Sequence, residues 1–202
     1  VINQSTNKNK KIGFLATASK DDKTKINLFY KRFQNENLEL SHFNLTFNDV
    51  GFSQWIFDKH IIYIGGGNTA YMLELWKNNN LINIFKNAYE KGIILSGVSA
   101  GGVCWFDWIL TDSLGSGYKA LKGINLISGS CNPHSLENNR MTQYQSEIKK
   151  NRLPPGVAID DGVAVLFVNG VAKEVCSTRE NCDAYFVDKN NKISLKEYIN
   201  KL

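Results

Sequence analysis

KGIILSGVSAGGVCWF, residues Lys91 to Phe106, holds the turn on which the fold depends. An apolar run, Ile93-Ile94-Leu95, meets Gly97-Val98-Ser99-Ala100-Gly101, and a second apolar stretch begins at once. A short apolar run bounded by glycine reads as a buried strand, and the residues after it carry the spacing of a helix start. The segment is therefore a strand-to-helix turn with one serine among glycines. Such glycines either permit close packing of strand and helix or expose a hydroxyl that does chemistry. The pattern G-x-S-x-G is that of a nucleophile elbow, in which a strained turn presents the serine and the next backbone N–H faces a developing oxyanion.

Working outward, short apolar strands alternate with helical spacing. Ile12 to Ala16 reads as a strand, followed by the turn SKDDKT, and Lys25 to Gln34 places Ile26, Phe29, Tyr30 and Phe33 on one helical face. Leu38 to Phe43 and His60 to Ile64 read as strands. Helical spacing returns after GGGNT through Tyr71, Leu73, Leu75 and Trp76, and again from Leu81 to Tyr89. This alternation predicts an α/β fold whose mostly parallel central sheet is covered by helices. Beyond Gly123 the pattern changes. GVAVLFVNGVAKEV has two strand-like runs about Asn169-Gly170, a strong hairpin signal, and AYFVDKNNKISLKEY repeats the idea with a longer turn, so antiparallel strands are expected near the end of the chain. The 202 residues are read as a single domain. Residues 1 to 9 are expected to be tail or loop, and the first residue, Val1, suggests a processed or trimmed beginning.

Composition narrows the function. With 43% hydrophobic and 21% charged residues the chain has the make-up of a globular protein. Its net charge of +5 is spread as scattered lysines, with no basic stripe interleaved with aromatics, which argues against nucleic acid. No apolar stretch reaches the roughly 18 residues of a membrane span and no signal-peptide pattern opens the chain, so a cytoplasmic location without membrane contact is expected. Cys104, Cys131, Cys176 and Cys182 form no C-x-x-C pair, and His42, His60 and His134 are dispersed. The cysteines are read as reduced thiols and no metal site is expected. Cys104, five residues past Ser99, is placed on the inner face of the helix after the elbow.

In an open α/β sheet, ligands gather at the carboxyl ends of strands, which should bring Gly65-Gly66-Gly67-Asn68-Thr69 to the same edge as the elbow. The glycine run is not a dinucleotide fingerprint, but it lets backbone N–H groups approach a substrate oxygen. A nucleophilic Ser99 needs a base. His42 and His60 sit in strand-like segments, whereas His134 lies in the polar segment CNPHSLENNR, which makes it the leading candidate. The base needs an acid to orient it. AIDDGVA offers Asp160 and Asp161, with Asp107 and Asp112 as competitors.

IGGGNT, GVSAGG, NPH and AIDDG, in that order, together with the TASKDD turn and the late hairpins, resemble the peptidase E family over nearly the whole chain. That resemblance implies a class I glutamine amidotransferase-like fold, flavodoxin-like in its sheet, and a serine peptidase whose relatives include dipeptidases acting after an N-terminal aspartate. It implies Ser99 as nucleophile, His134 as general base and Asp161 as acid, where the dipeptidases usually carry Glu. It further implies an oxyanion hole from Gly66, Gly67 and Ala100, Asn68 beside the substrate, and a strand ahead of the first one recognisable here. No cofactor is expected, and the partner is a small peptide bound by a monomer or homodimer. Arg140, six residues after His134, is the candidate for reading a substrate carboxylate, with Arg152 and Arg179 as rivals.

Two other readings stand beside this one. An esterase-like α/β-hydrolase would use Asp112 as its acid in the chain order Ser, acid, His. However, 68 residues follow His134 without another histidine, which fits that layout poorly. A catalytically silent relative would instead bind an acidic peptide or metabolite. Glutamine amidotransfer is disfavoured because it needs cysteine where Ser99 stands.

Overall fold

The computed structural model describes residues 1–7 and 9–200. The chain divides into two compact units, Val1–Gly102 and Val103–Leu202.

The first unit begins with a single 3-10 turn at Ile2–Gln4, and Ile2 packs against the apolar cluster of this unit. Part of the stretch expected as tail or loop is thus anchored by one apolar side chain. Next come β1 (Lys10–Leu15), α1 (Lys23–Phe33), β2 (Leu38–His42), α2 (Phe52–Phe57), β3 (Ile61–Ile64), α3 (Thr69–Asn78), α4 (Ile82–Glu90), β4 (Ile94–Gly97) and the short α5 (Ala100–Val103). The four strands pair in parallel in the order β2-β1-β3-β4. Asp22 starts α1 by accepting a hydrogen bond from the backbone N–H of Lys25 at 3.0 Å, which satisfies one of the orphan donors of the first turn. The apolar face of α1 then covers one side of the sheet, where Ile26 and Phe29 join Ile12, Phe14 and Ile61, and Phe14 stacks on Phe29 with ring centroids 4.7 Å apart. Aromatic side chains of α2, α3 and α4 form a second layer, with Phe52 5.6 Å and Trp76 4.2 Å from Phe85.

The second unit contains β5 (Phe106–Thr111), β6 (Lys119–Lys122), β7 (Ile127–Asn132), α6 (Arg140–Lys149), β8 (Gly156–Ile159), β9 (Val163–Val168), β10 (Val171–Ser177), β11 (Ala184–Val187), β12 (Lys192–Ser194) and α7 (Leu195–Ile199). Six strands form one sheet in the order β12-β11-β8-β7-β5-β6. Its centre, β5, β7 and β8, is parallel, and β6, β11 and β12 are added antiparallel at the edges. Parallel pairing continues past Gly123 through β7 and β8, and the antiparallel strands expected near the end of the chain follow. The Asn169-Gly170 hairpin forms as expected between β9 and β10. Both turn residues have positive φ, 51° and 77°, the requirement of a turn whose twist matches its strands. Helix α6 buries Tyr144 and Ile148 against Leu110, Leu153, Ala158 and Val187.

The helix after the elbow is only four residues long, so Cys104 lies just beyond it rather than on it. It is fully buried, and burial pushes its thiol well above the ordinary value, in keeping with a core residue. All four cysteines are free thiols. Among the described residues no helix is long and apolar enough to cross a membrane.

Candidate active site

Two neighbouring parallel strands of the first unit, β3 and β4, end in register at Ile64 and Gly97. The Gly65–Gly67 turn and the Ser99 elbow therefore leave the same edge of this sheet. They also touch: a Cβ added to Gly66 would lie 3.2 Å from Ser99 Cβ and 3.8 Å from Ser99 Oγ. Ser99 is partly buried with φ of 53°, a left-handed conformation that a serine adopts only where its surroundings impose it. Here the imposition is packing. A Cβ on Gly101 would sit 2.2 Å from the Ile64 carbonyl oxygen, and one on Gly97 2.3 Å from that of Gly101. The glycines of the elbow thus permit the close packing of strand and helix that holds Ser99 in this turn. Ala100, the residue after Ser99, is 1% exposed.

The Gly65–Gly67 turn is pinned at both ends, Gly65 N–H donating to Leu15 O at 2.9 Å and Asn68 N–H to Ala18 O at 2.7 Å. Gly67 has φ of 151°, and a Cβ there would meet the Ala18 carbonyl oxygen at 2.2 Å. Asn68 caps α3, its side-chain oxygen accepting the Tyr71 N–H at 2.8 Å.

In the second unit the parallel neighbours β7 and β8 pair Asn132 with Ala158. The segments that follow them carry His134 and Asp161, and the structure brings these two together: His134 Nδ1 lies 2.5 Å from Asp161 Oδ1. Asp160, the adjacent candidate, is 2% exposed and has a different role. It accepts a hydrogen bond from the Ser135 hydroxyl and another, at 3.0 Å, from the Asp183 N–H, which ties the His134 loop down. Like Ser99, His134 has a positive φ, 53°.

The remaining candidates are placed as follows. Asp112 pairs with Arg140 Nη1 at 3.8 Å, with its side chain 68% exposed. Arg140 opens α6 and is buried. Its Nε donates to Asn132 Oδ1 at 3.0 Å, its Nη2 to the Leu110 carbonyl at 3.2 Å, and its guanidinium lies over the Tyr118 ring. Glu137 Oε2 also stands 3.7 Å from Nη1. Arg152 clamps Glu147 through two nitrogens, both at 2.5 Å, and holds that carboxyl below its usual range. His42 accepts from or donates to Tyr30 Oη at 2.8 Å, and His60 Nδ1 accepts the Lys11 N–H at 3.0 Å, so both belong to the sheet framework of the first unit.

Among the described residues, His134, Glu137 and Asp161 form a group that could hold a metal ion, their ligand atoms lying within 4.8 Å of one another. Glu137, three residues past His134 with its Oε1 4.0 Å from Nδ1, was not singled out from sequence, although that spacing brings it beside the imidazole. The sequence holds no local signal for the Asp160–Ser135 bond, which joins residues 25 apart.

The chain belongs to Peptidase family S51, whose profile it matches over residues 1–175. It is 36% identical over 191 residues to the uncharacterized peptidase YgaJ of Bacillus subtilis (strain 168), covering 93% of this chain and 82% of that protein. Its fold is similar to that of a Listeria monocytogenes EGD-e protein assigned as a peptidase E, with a TM-score of 0.62 at 18% identity over 87% of this chain and 89% of that one. It is also similar to that of a peptidase from an acI-B1 Actinobacterium, with a TM-score of 0.66 at 15% identity over 91% and 83% of the two chains.

Proposed function

We propose that this chain is a serine-type peptidase acting on short peptides, with Ser99 as nucleophile, His134 as general base and Asp161 as the acid that orients it. The observation that carries the reading is the 2.5 Å contact between His134 Nδ1 and Asp161 Oδ1. A carboxylate on Nδ1 fixes the tautomer in which Nε2 can take a proton, and it stabilises the imidazolium that results. Ser99 Oγ attacks the scissile carbonyl carbon and its proton passes to His134 Nε2. The carbonyl oxygen becomes an oxyanion, assigned to the backbone N–H groups of Gly66, Gly67 and Ala100. Collapse breaks the C–N bond, His134 gives its proton to the leaving amine, and Ser99 carries the acyl group. Water then attacks with His134 again as base, releasing the acid and restoring the serine.

The finer reading is a dipeptidase that prefers N-terminal Asp. Arg140 would meet the substrate carboxylate through Nη1, because Nε and Nη2 are committed to Asn132 and Leu110, whereas Nη1 makes longer contacts to Asp112 and Glu137. Asn68, whose side-chain oxygen is used as a helix cap, would contribute its amide NH₂. The esterase-like ordering receives no such support, since Asp112 contacts Arg140 and the carboxylate on His134 is that of Asp161. The test is turnover of dipeptides and amino-acid p-nitroanilides with Asp, Glu, Ala and Leu at the amino end. Cleavage with Asp preferred is the expected result. Cleavage of simple esters with no peptide turnover at all would overturn the peptidase reading.

A further inference from the structure

The ammonium of Lys25 donates a hydrogen bond to the carbonyl oxygen of Gly66 at 2.9 Å. That carbonyl and the N–H of Gly67 are the two ends of one planar peptide group, so whatever fixes the first fixes the direction of the second. We propose that Lys25 is a positioning residue for the oxyanion hole, acting through the Gly66–Gly67 peptide; the inference rests on the serine-peptidase reading above.

The turn is held by backbone bonds at Gly65 and Asn68, and the peptide between these anchors is flanked by glycine on both sides. Two glycines present little steric barrier to rotating that peptide about its neighbouring bonds. A flip would exchange the N–H for a carbonyl oxygen and turn an oxyanion donor into a repulsive dipole. The Lys25 ammonium opposes the flip by engaging the oxygen on the far side. Its charge also polarises the amide, which strengthens the N–H as a donor. Lys25 is itself anchored at the root, since its backbone N–H donates to the Asp22 cap of α1 at 3.0 Å. The sequence gives no hint of this role, because Lys25 stands 41 residues before its acceptor among many scattered lysines.

The experiment compares Lys25→Met, Lys25→Gln and Lys25→Arg with the parent on its best peptide substrate. It also measures binding of two probes carrying that substrate's first side chain: the amino-acid aldehyde, whose adduct with Ser99 bears an oxyanion, and the corresponding alcohol, which forms none. Removing a whole oxyanion donor costs on the order of 10²–10³ in kcat, so loss of its orientation should cost roughly tenfold. The expected result is that kcat falls about tenfold in the Met and Gln variants with KM within about twofold, that the aldehyde weakens in step, and that the alcohol binds as before. Arg, which can reach the same carbonyl, should restore most of the rate. Parental kcat and aldehyde affinity in the Met and Gln variants would overturn the role of Lys25 while leaving the serine mechanism intact. Equal weakening of aldehyde and alcohol would also overturn it, by showing a general effect on the turn. Failure of the serine reading itself shows separately, as undiminished turnover by Ser99→Ala.

Discussion

His134 Nδ1 and Asp161 Oδ1 lie 2.5 Å apart, on segments that follow neighbouring parallel strands of one sheet. On this contact rests the orienting role proposed for Asp161, and it distinguishes Asp161 from Asp160, whose two carboxylate oxygens are engaged by Ser135 and Asp183. Asp161→Asn keeps the size of the side chain but favours the wrong imidazole tautomer. It should lower kcat by as much as ~10⁴-fold with little change in melting temperature. His134→Ala should cost at least as much, because it removes the proton carrier itself. Asp112→Ala and Asp107→Ala should be mild by comparison. Steady-state kinetics of the four variants checks the order.

The glycines of the two turns should separate folding from catalysis. Gly101→Ala drives a methyl group against the Ile64 backbone, 2.2 Å from its oxygen, with no flexible side chain to yield. A loss of several kcal/mol is expected, on the scale of other overpacked core sites. Gly66→Ala meets Ser99 Cβ at 3.2 Å, a contact that small shifts can absorb. It should fold with a loss of about 1 kcal/mol or less, yet reduce kcat markedly by crowding the nucleophile. Chemical denaturation alongside kcat for both variants measures the split.

Much of the first unit was legible because its signals are local. Ile26, Phe29, Tyr30 and Phe33 recur at helical spacing, and β1, β3 and β4 are short apolar runs closed by turns. The elbow declares itself through glycines whose places admit no side chain, and the hairpin through Asn169-Gly170, which suit the positive φ of the turn. Parallel pairing of β5, β7 and β8 was not legible, because β7 carries Ser128, Gly129, Ser130 and Asn132 and its burial comes from neighbours. Helix α6 was hidden for a related reason. Its mostly polar sequence shows Met141, Tyr144 and Ile148 as its few apolar contacts, and its cap residue Asn139 makes no side-chain capping bond. In the site, residue types pointed to Ser99 and His134 and left four aspartates open, among which the family resemblance selected Asp161, whereas the burial of Arg140 and the contacts of Asp160 and Lys25 depend on the tertiary structure.

Arg140 and Arg152 should behave differently when replaced by Met. Arg140→Met leaves Asn132 Oδ1 and the Leu110 carbonyl without their donor in a buried site, so stability should fall by ~2–4 kcal/mol. Some activity should be lost on every substrate, because Asn132 leads into the His134 loop. If Arg140 also reads the substrate, the ratio of kcat/KM for Asp-Leu over Ala-Leu should fall a further ~30-fold or more. An unchanged ratio would confine Arg140 to supporting that loop. Arg152→Met leaves Glu147 without its bidentate partner and should lower the melting temperature, with the ratio unaltered. Its effect should shrink in acid, since a depressed carboxyl contributes stability above its unfolded value of about 4 and loses it as pH falls through the folded one.

Asp21 gives a pH test of the opposite sign. It is 5% exposed with φ of 55°, and burial raises its carboxyl above the ordinary value. The folded state therefore holds the proton more tightly than the unfolded chain. The ionised side chain costs nothing below the unfolded value of about 4, increasingly destabilises as pH rises through the folded value, and has its full cost above that. Asp21→Asn keeps an oxygen to accept the Thr46 N–H and suits a left-handed backbone. It should raise the melting temperature near pH 7, and the gain should vanish as pH approaches 3. A gain that is largest in acid would contradict the assignment.

The central claim is that Ser99 carries the acyl group, and turnover by Ser99→Ala on the best peptide substrate tests it most directly, with thermal denaturation measured on the same preparation. The hydroxyl sits on a turn imposed by Gly97, Gly101 and Ile64, so its removal should leave the fold intact. The expected result is a fall in kcat of ~10⁴-fold or more and a melting temperature within about 2 °C of the parent. Parental turnover by the alanine variant would contradict it.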